Sequence, residues 1–376
     1  MSYKILSFNI QKFSRVATSS TGKKDLDTIA RIIQESGADI IALQEVVNKE
    51  ALKELLEAIA QQYAQEDQLK RGNKSFDGLG RYSVRTNDIY GYRTKHWEGR
   101  WGSPVSAFGG IAAEGYAFIW NRDRIKLVTN YEGESFEPRI ETFSGKNKLV
   151  RPPFVGRFMP INGRFEFRLI NVHIAFSVPA RMKHEDDPLY KPDVKDQELR
   201  EDELKRLLDT VYTRWDKKQY DVNQQDRNAR PLVPYTFLLG DYNLNLQQST
   251  AKGSKIPKNL EIRINGDMEI VTVNEALTTL KQKPGNAEEA KKREIDRDAN
   301  LANNYDHFSY DRVKLSRHQI DKPQVGVIYA FEQYKSTGSG QTQYDQYREQ
   351  VSDHLPIFLT IHINRRHADI TGGYGK

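Results

Sequence analysis

The 376-residue chain contains no cysteine. Disulfides and thiolate metal sites are therefore excluded. Any metal must be held by carboxylate, amide or imidazole groups. That donor set suits a hard cation such as Mg²⁺, with Mn²⁺ or Ca²⁺ as alternatives. No apolar run approaches the ~18 residues that crossing a bilayer requires. The opening MSYKILSFNI has no basic start, apolar run and small-residue cleavage site, so no signal peptide is read there. A cytoplasmic location is expected, with secretion the alternative if a leader has been removed. Tandem repeats and low-complexity linkers are also lacking. One domain over 1–370 is expected, with long insertions at about 71–110 and 181–232 and a disordered tail at 371–376.

What is present is a polar, globular composition: 38% hydrophobic and 29% charged residues, with a net charge of +6. The mild positive charge is compatible with a polyanionic partner. The chain opens with a strand-like run over 3–10. Ile29, Ile32 and Ile33 then repeat at helical spacing behind Asp25 or Asp27, and Gly37 ends that helix. A buried-strand run over 39–43 ends at Gln44 and Glu45. A second helix starts near Asn48 and carries Leu52, Leu55, Leu56 and Ile59 on one face. Later strands are expected over 115–121, 165–176, 235–239, 325–331 and 355–363. Leu204, Leu207, Leu208, Val211 and Trp215 mark a helix face within the second insertion. The charge run 286–297 reads as a solvated helix face.

Several of these strands end, or begin, in the same kind of residue. Asn9 closes the first, Glu45 the second, and His173 lies in a third. Asp241 and Asn243 close another, and Asp353 with His354 precede the last. Taken singly, each has a bland explanation: Asn and Gly-Asp are common in turns, and a strand histidine is often a core residue. Together, on one rim, they form a metal and phosphate site. Phosphodiester hydrolysis needs a cation against the phosphoryl oxygens, a base for water and donors for the transition state. Glu45 and Asp353 offer charged oxygens. Asn9 and Asn243 offer amides that add no negative charge, and His173 and His354 exchange protons near neutral pH.

The segments SFNI (7–10), LQEV (43–46), NVHIAF (171–176), GDYNLN (240–245), NNYDHF (303–308) and SDHLPI (352–357) resemble the endonuclease/exonuclease/phosphatase superfamily, most closely its deoxyribonuclease I-like branch. They span almost the whole chain. The resemblance implies an α/β four-layered sandwich: two mixed β-sheets packed face to face, with helices on the outside. It also implies roles. Glu45 is the main Mg²⁺ ligand, with Asn9 and Asp353 nearby. Asp241 and Asn243 hold the scissile phosphate and orient the attacking water. His354, oriented by Asp306, is one acid/base group, and His173 is its counterpart. Glu114 is placed to pair with His173.

A histidine at position 173 is similar to the nuclease, sphingomyelinase and inositol-phosphatase branches rather than to abasic-site repair enzymes. Arg151, in KLVRPPF at 148–154, resembles the Arg that contacts the nucleic-acid backbone in the deoxyribonuclease branch, a bidentate donor for phosphate. One departure is Val47, where that branch has an Arg that enters the minor groove. DNA contacts are then expected from Arg93, Trp97, Arg100 and Trp101, basic and aromatic residues suited to stacking and phosphate contact. The expected function is a DNA endonuclease of low sequence specificity, acting on double-stranded DNA as a monomer. The alternative is a lipid or inositol-phosphate phosphodiesterase on the same site. Only the short run Phe108-Gly109-Gly110-Ile111 offers it an apolar membrane contact.

Overall fold

The computed structural model describes residues 1–14, 24–70, 85–86, 91–103, 114–129, 135–145, 148–161, 163, 165–177, 195–218, 232–246, 261–264, 268–273, 276–282, 284–318, 320–334 and 342–363. Strands β1 (Ser2–Phe13), β2 (Ile40–Val46), β3 (Arg85–Thr86), β4 (Gly91–Arg93), β5 (Trp97–Gly102) and β6 (Tyr116–Asn121) belong to one sheet. β7 (Ile125–Leu127), β8 (Arg139–Ile140), β9 (Phe154–Pro160), β10 (Phe165–His173), β11 (Val233–Asp241), β12 (Glu261–Ile264), β13 (Met268–Val273) and β14 (Asp306–Asp311) form a second. The chain then returns to the first sheet with β15 (Gln324–Val327) and β16 (Ile357–His362), giving the order β15-β16-β1-β2-β6-β5-β4-β3. The second runs β12-β13-β14-β11-β10-β9-β7, with β8 on β9.

Both sheets are mixed, and each has one parallel pair: β1 with β2 and β10 with β11. Parallel neighbours need a crossover, which is usually helical. Helix α1 (Leu26–Ser36) supplies the first. The second is α3 (Asp196–Arg206), a π-helical stretch Leu207–Tyr212, and α4 (Thr213–Lys217). Helix α2 (Lys49–Lys70) follows β2, and α5 (Ala287–Ile295), α6 (Arg312–Arg317) and α7 (Gln343–Gln350) complete the helices of the described residues. Asp25 caps α1 by accepting the Thr28 N–H at 3.0 Å, and Gly37 closes it in the left-handed conformation at φ 62°.

Alternation along the strands produces the layers, because successive side chains point to opposite faces. In β1, Tyr3 and Ile5 enter the layer between the sheets, while Leu6, Phe8 and Ile10 face α1 and α2. In β10 and β11, Phe165, Phe167, Leu169, Tyr235, Phe237 and Leu239 face inward, while Ile170, Val172 and Leu238 face the α3–α4 helix. The inter-sheet layer is unusually aromatic, with Phe118 stacked on Phe154 at 5.0 Å. The result is the four-layered sandwich, with helices outside two face-to-face mixed sheets.

Two expectations change. Much of 71–110 lies outside the described residues, but 91–93 and 97–102 pair as strands β4 and β5. Trp97 is buried at 4% exposure in the core beneath α2, and the Trp101 indole N–H donates to the Val46 carbonyl at 3.0 Å. Arg100 is paired with Glu137 at 3.3 Å. Trp97 belongs to the protein's own core, and Trp101 is half-buried against it. The strand expected over 325–331 stops at Val327, because a 3-10 turn at Ala330–Gln333 drops Phe331 into that same core. The stretches 104–113 and 178–194, with the Phe108–Ile111 run, lie outside the described residues, as does the tail at 364–376.

Candidate active site

Toward one end of the sandwich, the inward-facing residues change from apolar to polar. In β1 the series is Tyr3, Ile5, Ser7, Asn9, and in β2 it is Ile40, Ala42, Gln44. In β10 it is Phe167, Leu169, Asn171, His173, and in β11 it is Phe237, Leu239, Asp241. The parallel pairs set the depth: Asn9 lies beside Gln44, and His173 beside Asp241. Both pairs therefore deliver their polar residues at carboxyl ends of strands, where open α/β sheets place ligands. The first polar rung ties the two sheets together. Gln44 Nε2 donates to Asn171 Oδ1 at 2.7 Å, and Asn171 Nδ2 donates to the Leu43 carbonyl at 2.9 Å.

Unusual backbone conformations then re-aim the strand ends. Glu45 has φ 60°, so it and its neighbour Gln44 both reach the inter-sheet side. A bulge in β1 with positive φ at Gln11 and Lys12 turns two amides inward. Gln11 N–H donates to Asn9 Oδ1 at 2.9 Å, and Lys12 N–H donates to Glu45 Oε2 at 2.9 Å. Gly240 has φ 137°, and a Cβ there would stand 2.0 Å from the Val172 carbonyl oxygen, so only glycine allows β10 and β11 to approach. Asn243, at φ 50°, donates its backbone N–H to Asp241 Oδ1 at 2.8 Å and its amide to the Ile174 carbonyl at 2.8 Å. Strained non-glycine backbone of this kind costs on the order of 1–3 kcal/mol per residue and clusters at functional sites.

At the centre stands Asp241 Oδ2. Asn9 Nδ2 donates to it at 3.1 Å and to Glu45 Oε1 at 2.9 Å. His173 Nε2 lies 3.5 Å from the same oxygen, and His354 Nε2 lies 3.6 Å away. Each imidazole has a carboxylate beside its far nitrogen: Asp306 Oδ2 is hydrogen-bonded to His354 Nδ1 at 2.9 Å, and Glu114 Oε2 lies 3.2 Å from His173 Nδ1. Arg151 is bound to Glu114 at 2.7 Å, and its Nη1 is buried without a hydrogen bond. Ser352 places His354 beside Asn9: its hydroxyl donates to the Asn9 carbonyl at 2.7 Å and accepts the His354 N–H at 3.0 Å.

Charge follows this geometry. Burial pushes the Asp241 carboxyl up, and the two histidines oppose that. Burial also acts against a charged His354, but Asp306 and Asp241, with Asp353, outweigh it and hold the imidazole well above its usual range. For Glu114, His173 and Arg151 overcome burial and hold the carboxyl below its ordinary value.

The fold thus gathers Asn9, Glu45, Glu114, Arg151, His173, Asp241, Asn243, Asp306 and His354 at one rim. Asp353 stands at its edge: it and Glu45 both act on Lys24, whose ammonium burial pushes down to about 8. Gln44 and Asn171 stand within the 43–46 and 171–176 motifs, but their link across the sheets has no sequence signal; Lys24 looks like a surface charge before a helix. The donors fit a hard divalent cation. Glu45, Glu114 and His173 bring ligand atoms within 4.8 Å of one another, as do Asp241, Asp306 and His354. Both Glu45 oxygens accept N–H bonds that fix the carboxylate in place.

Residues 6–354 match the model of the Endonuclease/Exonuclease/phosphatase family. Comparison with curated protein sequences gave no match. Among solved structures, the chain is similar to an endonuclease/exonuclease/phosphatase family protein from Bacteroides thetaiotaomicron (12% identity, 98% of this chain and 97% of that one, TM-score 0.48). It is also similar to a mannosyl-6-phosphatase from the same organism (13% identity, 96% and 100%, TM-score 0.47). A third is a humanized D. rerio TDP2 (12% identity, 96% and 99%, TM-score 0.43). With a match running from β1 to His354, the chain belongs to the endonuclease/exonuclease/phosphatase family, metal-dependent hydrolases of phosphoester bonds.

Proposed function

We propose that the chain is a Mg²⁺-dependent DNA endonuclease of low sequence specificity, cutting the phosphodiester backbone by in-line attack of water. The observation that carries this reading is the convergence of two carboxylate–histidine pairs on one oxygen of Asp241, beside Glu45 and Asn9. Glu45, with Asn9 and Asp353 nearby, would hold the cation, which supplies charge neutralisation at the phosphoryl oxygens. Asp241 accepts a proton from the attacking water; Asn243 N–H on Oδ1 and the Asn9 amide on Oδ2 fix the carboxylate's orientation. His354, kept protonated by Asp306 and Asp241, donates toward the departing oxygen. His173 and Asn243 donate to the phosphate and stabilise the negative charge that grows on it. Arg151 holds Glu114, and its unpartnered Nη1 is a donor for an adjacent backbone phosphate.

Backbone contacts carry no base sequence, which accounts for low specificity. The net charge of +6 favours a polyanion over a neutral headgroup. The test is to incubate the protein with supercoiled plasmid, RNA and sphingomyelin, each with Mg²⁺ and with EDTA. Nicking of plasmid in Mg²⁺ and none in EDTA is expected. Turnover of sphingomyelin with intact plasmid would overturn the DNA reading.

A further inference from the structure

Three residues past His173, Phe176 is one of the few large apolar side chains at the surface among the described residues, 55% exposed. Its position is fixed. The Arg200 guanidinium of α3 lies 4.8 Å from the ring centroid, and Arg200 Nη1 donates to the Phe176 carbonyl at 2.8 Å. The cation backs one side of the ring, which is 55% exposed. Arg200 Nε is itself buried without a hydrogen bond. Phe176 follows a segment tied to the site: the Ile174 N–H donates to the Asp241 backbone carbonyl at 2.9 Å. Arg200 and Asp241 both act electrostatically on Tyr305, whose half-buried hydroxyl burial pushes up. Two residues before Phe176, the Ile174 carbonyl takes the Asn243 amide.

We infer that Phe176, backed by Arg200, is a stacking platform for a nucleobase of the strand whose phosphate is held at Asp241 and Asn243. This rests on the proposed function and deepens it. A ring with one face held by a guanidinium stacks on any base through the other, so it adds affinity without reading sequence. The Arg charge also suits the neighbouring backbone phosphate.

Binding of 5′-dAMP and of deoxyribose 5-phosphate is measured by calorimetry in EDTA, so that no turnover intervenes. The wild-type protein should bind the base-bearing compound roughly tenfold tighter, the order of one stacked base. That difference should vanish in Phe176→Ala and survive in Phe176→Trp. Equal affinities in the wild type, or a difference that persists in Phe176→Ala, would overturn the platform. In strand cleavage, Phe176→Ala should raise KM for a single-stranded oligonucleotide about tenfold with kcat little changed. A change confined to free dAMP would overturn the assignment to a strand. If no nucleic acid is cut but the dAMP preference behaves as stated, the endonuclease reading falls and the base platform stands.

Discussion

The Nε2 atoms of His173 and His354 face the same carboxylate oxygen, Asp241 Oδ2, at 3.5 and 3.6 Å. The two histidines are 181 residues apart in sequence: His173 ends β10 of the second sheet, and His354 lies just ahead of β16 of the first. Each has a carboxylate on its far nitrogen. The arrangement brings two proton carriers to one position from two directions, which an in-line displacement requires.

Removing either side of this arrangement should stop the chemistry and spare the fold. His354→Ala and Asp241→Asn are each expected to lower plasmid nicking by about 10²–10⁴-fold, the range of general acid–base catalysis. Circular dichroism and melting checks would show the fold retained. Full nicking by both variants would discard the mechanism.

Asp306 sets the proton affinity of His354. Because that affinity is raised in the folded protein, His354 stays protonated above pH ~6.5, the unperturbed histidine value. The rate should fall as pH rises through the raised value. In Asp306→Asn the raising charge is gone, so the fall should come at lower pH. A log(kcat/KM)–pH profile identical in both proteins would remove Asp306 from this role.

Gly240→Ala puts a methyl 2.0 Å from the Val172 carbonyl oxygen at φ 137°. The strain alone is on the order of 1–3 kcal/mol, and relieving the clash must part β10 from β11. We expect a melting temperature lower by several degrees, and a loss of activity larger than that loss of stability explains. Urea melts and nicking rates of the same preparation test this.

Asp25 gives a stability prediction away from the site. Burial raises its carboxyl, but the Thr28 N–H and hydroxyl, Tyr334 and Arg31 outweigh it and hold it below the ordinary value. Its stabilisation is therefore present above the unfolded-state value of about 4 and is lost as pH falls through the folded one. Asp25→Ala should cost about 1 kcal/mol at pH 7, as helix N-caps do, and progressively less below pH ~4. A deficit that stays constant down to pH ~2 would contradict the cap's ionic character.

If the substrate is nucleic acid, binding should weaken linearly in log affinity against log salt, through counterion release. A flat response up to ~0.2 M salt would point to an uncharged or small substrate.

Local sequence determined much of this protein. Alternation and helical spacing marked β1, α1, β2 and α2, because each buries one face and its period is written in the chain. The motif residues from Asn9 to His354 were legible for a related reason: an acid, amide or imidazole stands out beside an apolar run. Tertiary structure alone decided the rest. Trp97 joins the core and Trp101 packs against it, because their partners in α2 and β2 are far away in sequence. Gln44 and Asn171 became a bridge between sheets only when the two parallel pairs stacked at one depth. That Asn9, His173 and His354 share Asp241 depends on distances across the sandwich, which no spacing along one chain encodes.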